Sequence, residues 1–103
     1  MSFKVRLTPE AESDLAAAYA WYEDALRFLG DRFLDAVREA GELLAAQPEG
    51  HPLIHRDLRR ALLRTFPYGL FYVVEGETVL IIGCFHVRRD PTIWKDRGRN
   101  YRA

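Results

Sequence analysis

Ten of the fifteen basic residues lie in the second half of the chain, and they fall in two clusters. Arg56, Arg59, Arg60 and Arg64 form the first. Arg88, Arg89, Lys95, Arg97, Arg99 and Arg102 crowd the C-terminal end, with Trp94 and Tyr101 among them. Guanidinium groups hold phosphates or carboxylates in bidentate fashion, and aromatic faces stack on bases. The mixture therefore suits RNA. It suits an acidic protein surface equally. A third outlet is internal. Residues 1–50 carry ten Asp and Glu against five Lys and Arg, so the arginines have acidic helices of their own chain to pair with.

Chemistry of other kinds is scarce. There is no Gly-rich phosphate loop, no HExxH and no CxxC pair. Ser2 and Ser13 lie in the N-terminal tail and on a helix, neither on a strained elbow. Cys84 falls in the middle of an apolar run and reads as a small core residue rather than a thiolate. His51, His55 and His86 lack the accompanying carboxylates of a metal centre, so no metal and no cofactor are expected.

The elements that position the basic clusters follow from periodicity. Residues 3–7 alternate and predict a strand. Thr8 can cap a helix, Pro9 suits its first position, and Glu10, Glu12 and Asp14 suit its positive end. Leu15, Tyr19, Tyr22, Leu26 and Leu29 recur at helical spacing and predict its core face, with the break at Gly30. A second helix from Asp31 carries Phe33, Val37, Ala40 and Leu44, and ends at Gln47-Pro48-Glu49-Gly50. Residues 51–57 predict a loop, and 58–66, 68–76 and 78–87 predict strands. The last of these is continuously apolar, which fits an interior strand covered on both faces. On the first, Arg60 and Arg64 share a face with Leu58 and Leu62. Asp90 and Pro91 then open a short helix at 90–97. The order β-α-α-β-β-β places a helix hairpin on a mainly antiparallel sheet, an α+β fold. The first helix also carries a second apolar stripe, Ala17, Trp21 and Phe28. It either packs on a neighbouring element or forms a groove for an amphipathic helix of a partner.

The chain has 103 residues, a hydrophobic fraction of 49% and a formal charge of zero, which fit one globular domain over residues 1–103. The zero hides a net charge of −5 in residues 1–50 and +5 in residues 51–103, which implies an oriented surface. A single cysteine excludes an internal disulfide and fits a reducing cytoplasm. The N-terminus has no apolar region of signal-peptide length, and no run is long enough for a membrane helix. Free strand edges or the Trp21 stripe allow a homodimer.

Residues 58–97 resemble the C-terminal half of the ParE/RelE toxin superfamily. The resemblance rests on the Arg-rich strand, on Phe66, Pro67, Tyr68 and Tyr72, and on the ending His86, Arg88, Arg89, Asp90, Pro91 and Trp94. The run from Leu7 to Leu15 resembles the family's entry to its first helix. Such a resemblance implies a toxin of a type II toxin–antitoxin pair, held inactive by a cognate antitoxin. The ParE branch is associated with poisoning DNA gyrase, and the RelE branch with cutting mRNA on the ribosome.

The resemblance also separates the branches. Arg60 and Arg88 match basic positions of the ribonucleases. Gly69, Leu62 and Trp94 stand where that branch has arginine, a basic residue and a proton-transferring tyrosine, and Trp94 cannot transfer a proton. The expectation is a ParE-like toxin without catalytic residues of its own. Arg60, Arg88, Arg89 and Trp94 would meet the target, and Ala17, Trp21 and Phe28 the antitoxin. Two alternatives remain. One is a ribosome-dependent endoribonuclease using His86 as base and Tyr101 as acid. The other is a non-toxic antitoxin-binding module.

Overall fold

The computed structural model describes residues 2–101. Its elements run β1 (Lys4–Leu7), α1 (Pro9–Ala25), α2 (Leu29–Ala46), a 3-10 turn (Pro48–Gly50), β2 (Leu53–His55), β3 (Leu58–Leu62), β4 (Tyr68–Glu75), β5 (Thr78–His86) and α3 (Pro91–Arg99). The sheet order is β1-β5-β4-β3-β2. β1 runs parallel to β5, and every other pair is antiparallel. The expected helix hairpin on a mainly antiparallel sheet is present, with one strand added in the segment expected to be a loop. β2 has only three residues, too few for a periodic pattern to register.

The start of α1 follows its capping chemistry. The Thr8 side chain accepts the Ala11 N–H at 3.1 Å, and Pro9 fills the first turn, where no intrahelical N–H bond is needed. The end of α1 departs from expectation. It stops at Ala25, and the break is Leu26–Phe28, not Gly30. Phe28 takes the left-handed region at φ 70°, and the Glu23 carboxylate accepts the N–H groups of Phe28 (2.9 Å) and Gly30 (3.0 Å). One side chain thus satisfies two donors at the start of α2. Gly30 lies inside α2 for a different reason. A Cβ there would stand 2.7 Å from the Tyr19 ring and 2.9 Å from the Tyr19 carbonyl oxygen, so glycine permits the close approach of the two helices.

The sheet has an apolar layer on each face. Beneath the hairpin lie Ala11, Ala18 and Tyr22 of α1, Phe33, Ala40 and Leu44 of α2, and Leu70, Tyr72, Val79, Ile81 and Cys84 of the sheet. All four residues assigned to the inner face of α2 pack there. On α1, Leu15 and Tyr22 do so, whereas Leu26 is 60% exposed because the helix has already ended. On the other face Leu58, Phe71, Val73, Ile82 and Phe85 lie beneath Ile93, Trp94 and Tyr101. β5 is therefore covered on both faces, as its continuous apolar run requires. Asp90 caps α3 by accepting the Thr92 N–H at 2.9 Å, a bond that holds its carboxyl below the ordinary aspartate range.

Candidate partner-binding groove

A groove of about 220 Å³ opens between α1 and the C-terminal end of β5. Ala17 and Trp21 form its helical wall, and Tyr68, His86 and Arg89 the opposite one. Trp21 is 65% exposed, its ring meeting Tyr22 edge-on at 5.1 Å. Tyr68 and His86 meet edge-to-face at 5.3 Å. The turn after β5 is fixed by backbone bonds from Val87 N–H to the Pro67 oxygen and from Arg89 N–H to the His86 oxygen. His86 Nδ1 accepts the Arg88 N–H at 3.1 Å, and the Arg89 guanidinium lies 5.7 Å from the centre of the Phe85 ring.

Below the groove is a polar clasp. The Asp14 carboxylate accepts the Cys84 N–H at 3.0 Å and an Arg97 N–H at 2.6 Å. Arg97 also donates to the Ile82 oxygen and lies over the Phe85 ring, 4.7 Å from its centre. Burial, with Asp14 beside it, pushes the Cys84 thiol up to about 12, so the group is neutral and serves packing. From sequence alone Asp14 is a dipole partner of α1 and Arg97 part of the basic tail. The signal was present: Asp14 falls between Ala11 and Ala18 on the buried stripe, where a carboxylate requires a partner.

The structure brings together residues expected to act apart. Ala17 and Trp21, read as an antitoxin stripe, line one groove with Arg89 of the target set. Phe28 does not join them. It sits at the helix turn, 58% exposed, with the Arg27 guanidinium 4.9 Å from its ring centre. Arg88 is exposed on the turn beside the groove. Arg60 lies on the opposite face of the sheet, its stem laid across Gly69. A Cβ at residue 69 would stand 2.9 Å from Arg60 Cγ, so the glycine gives this arginine its room. Trp94 is half-buried and stacks on Phe71 at 5.6 Å, which fastens α3 to the sheet.

Internal pairing accounts for few of the basic residues. Among the described residues, Arg64 pairs with Glu39 and Arg97 with Asp14, across to the acidic helices, while Arg99 pairs locally with Asp96. Arg59 donates to the backbone oxygens of Glu49 and His51. Among the described residues, none of Arg60, Arg88 and Arg89 forms such an ion pair. Arg102, counted with the tail, lies outside the described residues. The acid–base pair of the ribonuclease alternative is not assembled. Tyr101 donates to the Glu10 carboxylate, a bond that raises its own pKa, and lines one cavity with Leu80. His86 stands six residues further along β5, about 20 Å at the rise of a strand. Among the described residues no group of His, Cys, Asp or Glu could hold a metal ion, and no helix is long and apolar enough to cross a membrane.

Residues 5–91 match the family described as ParE toxin of the type II toxin–antitoxin system, parDE. No curated protein matches the sequence significantly. Among solved structures, the fold is similar to one from the chromosomal ParDE system of P. aeruginosa. The TM-score is 0.63 at 21% identity, over 82% of this chain and 96% of the other. It is also similar to one from the toxin–antitoxin complex RelBE2 of Mycobacterium tuberculosis, with a TM-score of 0.61 at 28% identity, over 84% and 99%. The match over residues 5–91 settles the family: this chain belongs to the ParE toxins of type II toxin–antitoxin systems, within the ParE/RelE superfamily.

Proposed function

We propose that this chain, acting as one domain, arrests growth by binding a large target, DNA gyrase being the one its branch suggests. A cognate ParD-like antitoxin silences it by laying an amphipathic helix in the groove between α1 and β5. The observation that carries the reading is the convergence of Ala17 and Trp21 with Arg89 in that groove. An exposed tryptophan beside cationic groups fits an apolar helix with acidic flanks. Arg60, Arg88 and Arg89 are left for the target, since among the described residues none forms an ion pair with a carboxylate. Trp94 contributes chiefly by holding α3 in place.

Pulse labelling after induction in a bacterium tests the target. DNA synthesis falls first, with a DNA-damage response, if the reading is right. An earlier fall in protein synthesis favours the ribonuclease reading. The antitoxin assignment has its own test. Trp21→Ala weakens binding of the purified antitoxin by about tenfold or more, as for an anchor residue. Unchanged affinity places the antitoxin elsewhere.

A further inference from the structure

A second cavity, of about 370 Å³, lies apart from that groove, between the β2–β3 turn and α3. Leu58 and Val73, both buried in the sheet, form its floor. Arg56 stands on one side, Lys95 and Arg99 on the other, and His55 on the rim. Among the described residues, Asp57 is the carboxylate in the lining, against three cations. Arg99 also reaches Asp96 at 2.6 Å, but both side chains of that pair are about two-thirds exposed, so the pair exchanges readily for another anion.

The turn that presents Arg56 is conformationally costly. His55 pairs with Leu58, which leaves Arg56 and Asp57 as a two-residue hairpin turn. Of the two, only Arg56 has a positive φ, at 53°. This is the position where such turns take glycine. Arginine there retains a cationic head at the mouth of the cavity at the expense of backbone strain.

We infer that this cavity is a binding site for a small phosphorylated ligand with an apolar, planar body, such as a nucleoside monophosphate. The size matches a compact ligand site. The cavity is walled by the turn, the sheet and α3, which suits a compact molecule better than an extended peptide. Arg56, Lys95 and Arg99 outnumber Asp57 in the lining and Asp96 beside it, and guanidinium groups match phosphate oxygens in bidentate geometry. The Leu58 and Val73 floor gives a planar body an apolar surface to lie on. The site stands independently of the proposed antitoxin groove.

Calorimetric titration of the full chain with AMP, adenosine, inorganic phosphate and a pentaglutamate peptide tests this. The expected result is AMP binding at about 1 mM or tighter, with adenosine and phosphate each at least about tenfold weaker. Arg56→Gly and Lys95→Gln each lower AMP affinity about tenfold. Arg56→Gly also keeps or raises the melting temperature, because glycine suits the left-handed turn, so its loss of binding cannot be unfolding. Three results overturn the proposal: no AMP binding at millimolar concentration, phosphate or pentaglutamate binding as tightly as AMP, or AMP binding indifferent to both substitutions.

Discussion

The two faces of the sheet are covered by unequal means. Under the helix hairpin, Phe33 and Leu44 are wholly excluded from water and pack on Leu70 and Tyr72, which are equally enclosed. Over the other face lies α3, nine residues long, none of which is buried. That helix is held by Trp94 stacked on Phe71, by the bond from Tyr101 to Glu10, and by the Asp14–Arg97 clasp. Continuous apolar packing fixes the first face. On the second, Phe71, Val73 and Ile82 of the sheet are just as enclosed, but the helix above them contributes only partly buried side chains, so α3 lifts at lower cost. The contrast teaches that the two faces are sealed differently: the hairpin closes its face with buried side chains, α3 with partly exposed ones.

Phe33→Ala puts the largest load on that contrast. It removes an aromatic side chain that touches Tyr22, Phe66 and Tyr68, with ring centres 5.4 to 5.5 Å apart. The expected loss is about 3–5 kcal/mol, a large part of a small domain's total stability. Urea denaturation measures it. A loss below about 1 kcal/mol would mean that the hairpin face is not the principal core.

Asp14→Ala is the next step down. It strips Arg97 of its carboxylate and leaves the Cys84 N–H without its acceptor. Both side chains of the pair are only 19% exposed, so solvent screens the loss weakly. Charged hydrogen bonds of this kind contribute about 1.5–3 kcal/mol, which sets the expected cost. Hydrogen exchange locates it: protection falls first in α3 and the end of β5, while α2 keeps its own. Equal loss in α2 would dissolve the distinction between the faces.

Much of the fold was legible in the sequence, and the reasons for the remainder are physical. Thr8-Pro9 and Asp90-Pro91 marked helix starts because capping is local chemistry. Phe33, Val37, Ala40 and Leu44 marked a buried face because the helical period is fixed. Gly30 misled because glycine ends helices and also lets them touch, and only the Tyr19 ring beside it tells which. The true break depends on Glu23 reaching forward five and seven residues, which no local pattern encodes. Pairing of β1 with β5 spans more than seventy positions and leaves no mark on either strand. At the candidate site, Trp21 and the arginines were legible as types. That Trp21 and Arg89 share one groove while Phe28 stands apart came from tertiary placement alone. The Asp14–Arg97 clasp joins two residues that the sequence placed in separate arguments.

The smallest effect reports on the hairpin face through Cys84. Burial raises the folded thiol to about 12, whereas the unfolded thiol ionises near the ordinary cysteine value of about 9.0. Between those values the folded state holds a proton that the unfolded state has released. The unfolded state is therefore favoured as pH rises, and stability falls. The contribution is fully present below about pH 9 and is lost progressively up to about pH 12. The limiting slope is about 1.4 kcal/mol per pH unit, so between pH 9 and pH 10 the loss stays near 1 kcal/mol. Tyrosines and lysines also titrate there, so the informative quantity is the difference from Cys84→Ala, which lacks the thiol and its slope. Iodoacetamide supplies the companion measurement: at pH 8 the native thiol stays unmodified while the urea-unfolded chain reacts. Rapid alkylation of the native protein, or a wild-type slope no steeper than that of Cys84→Ala, would place water beneath the hairpin. The two faces would then differ in composition but not in how tightly they are sealed.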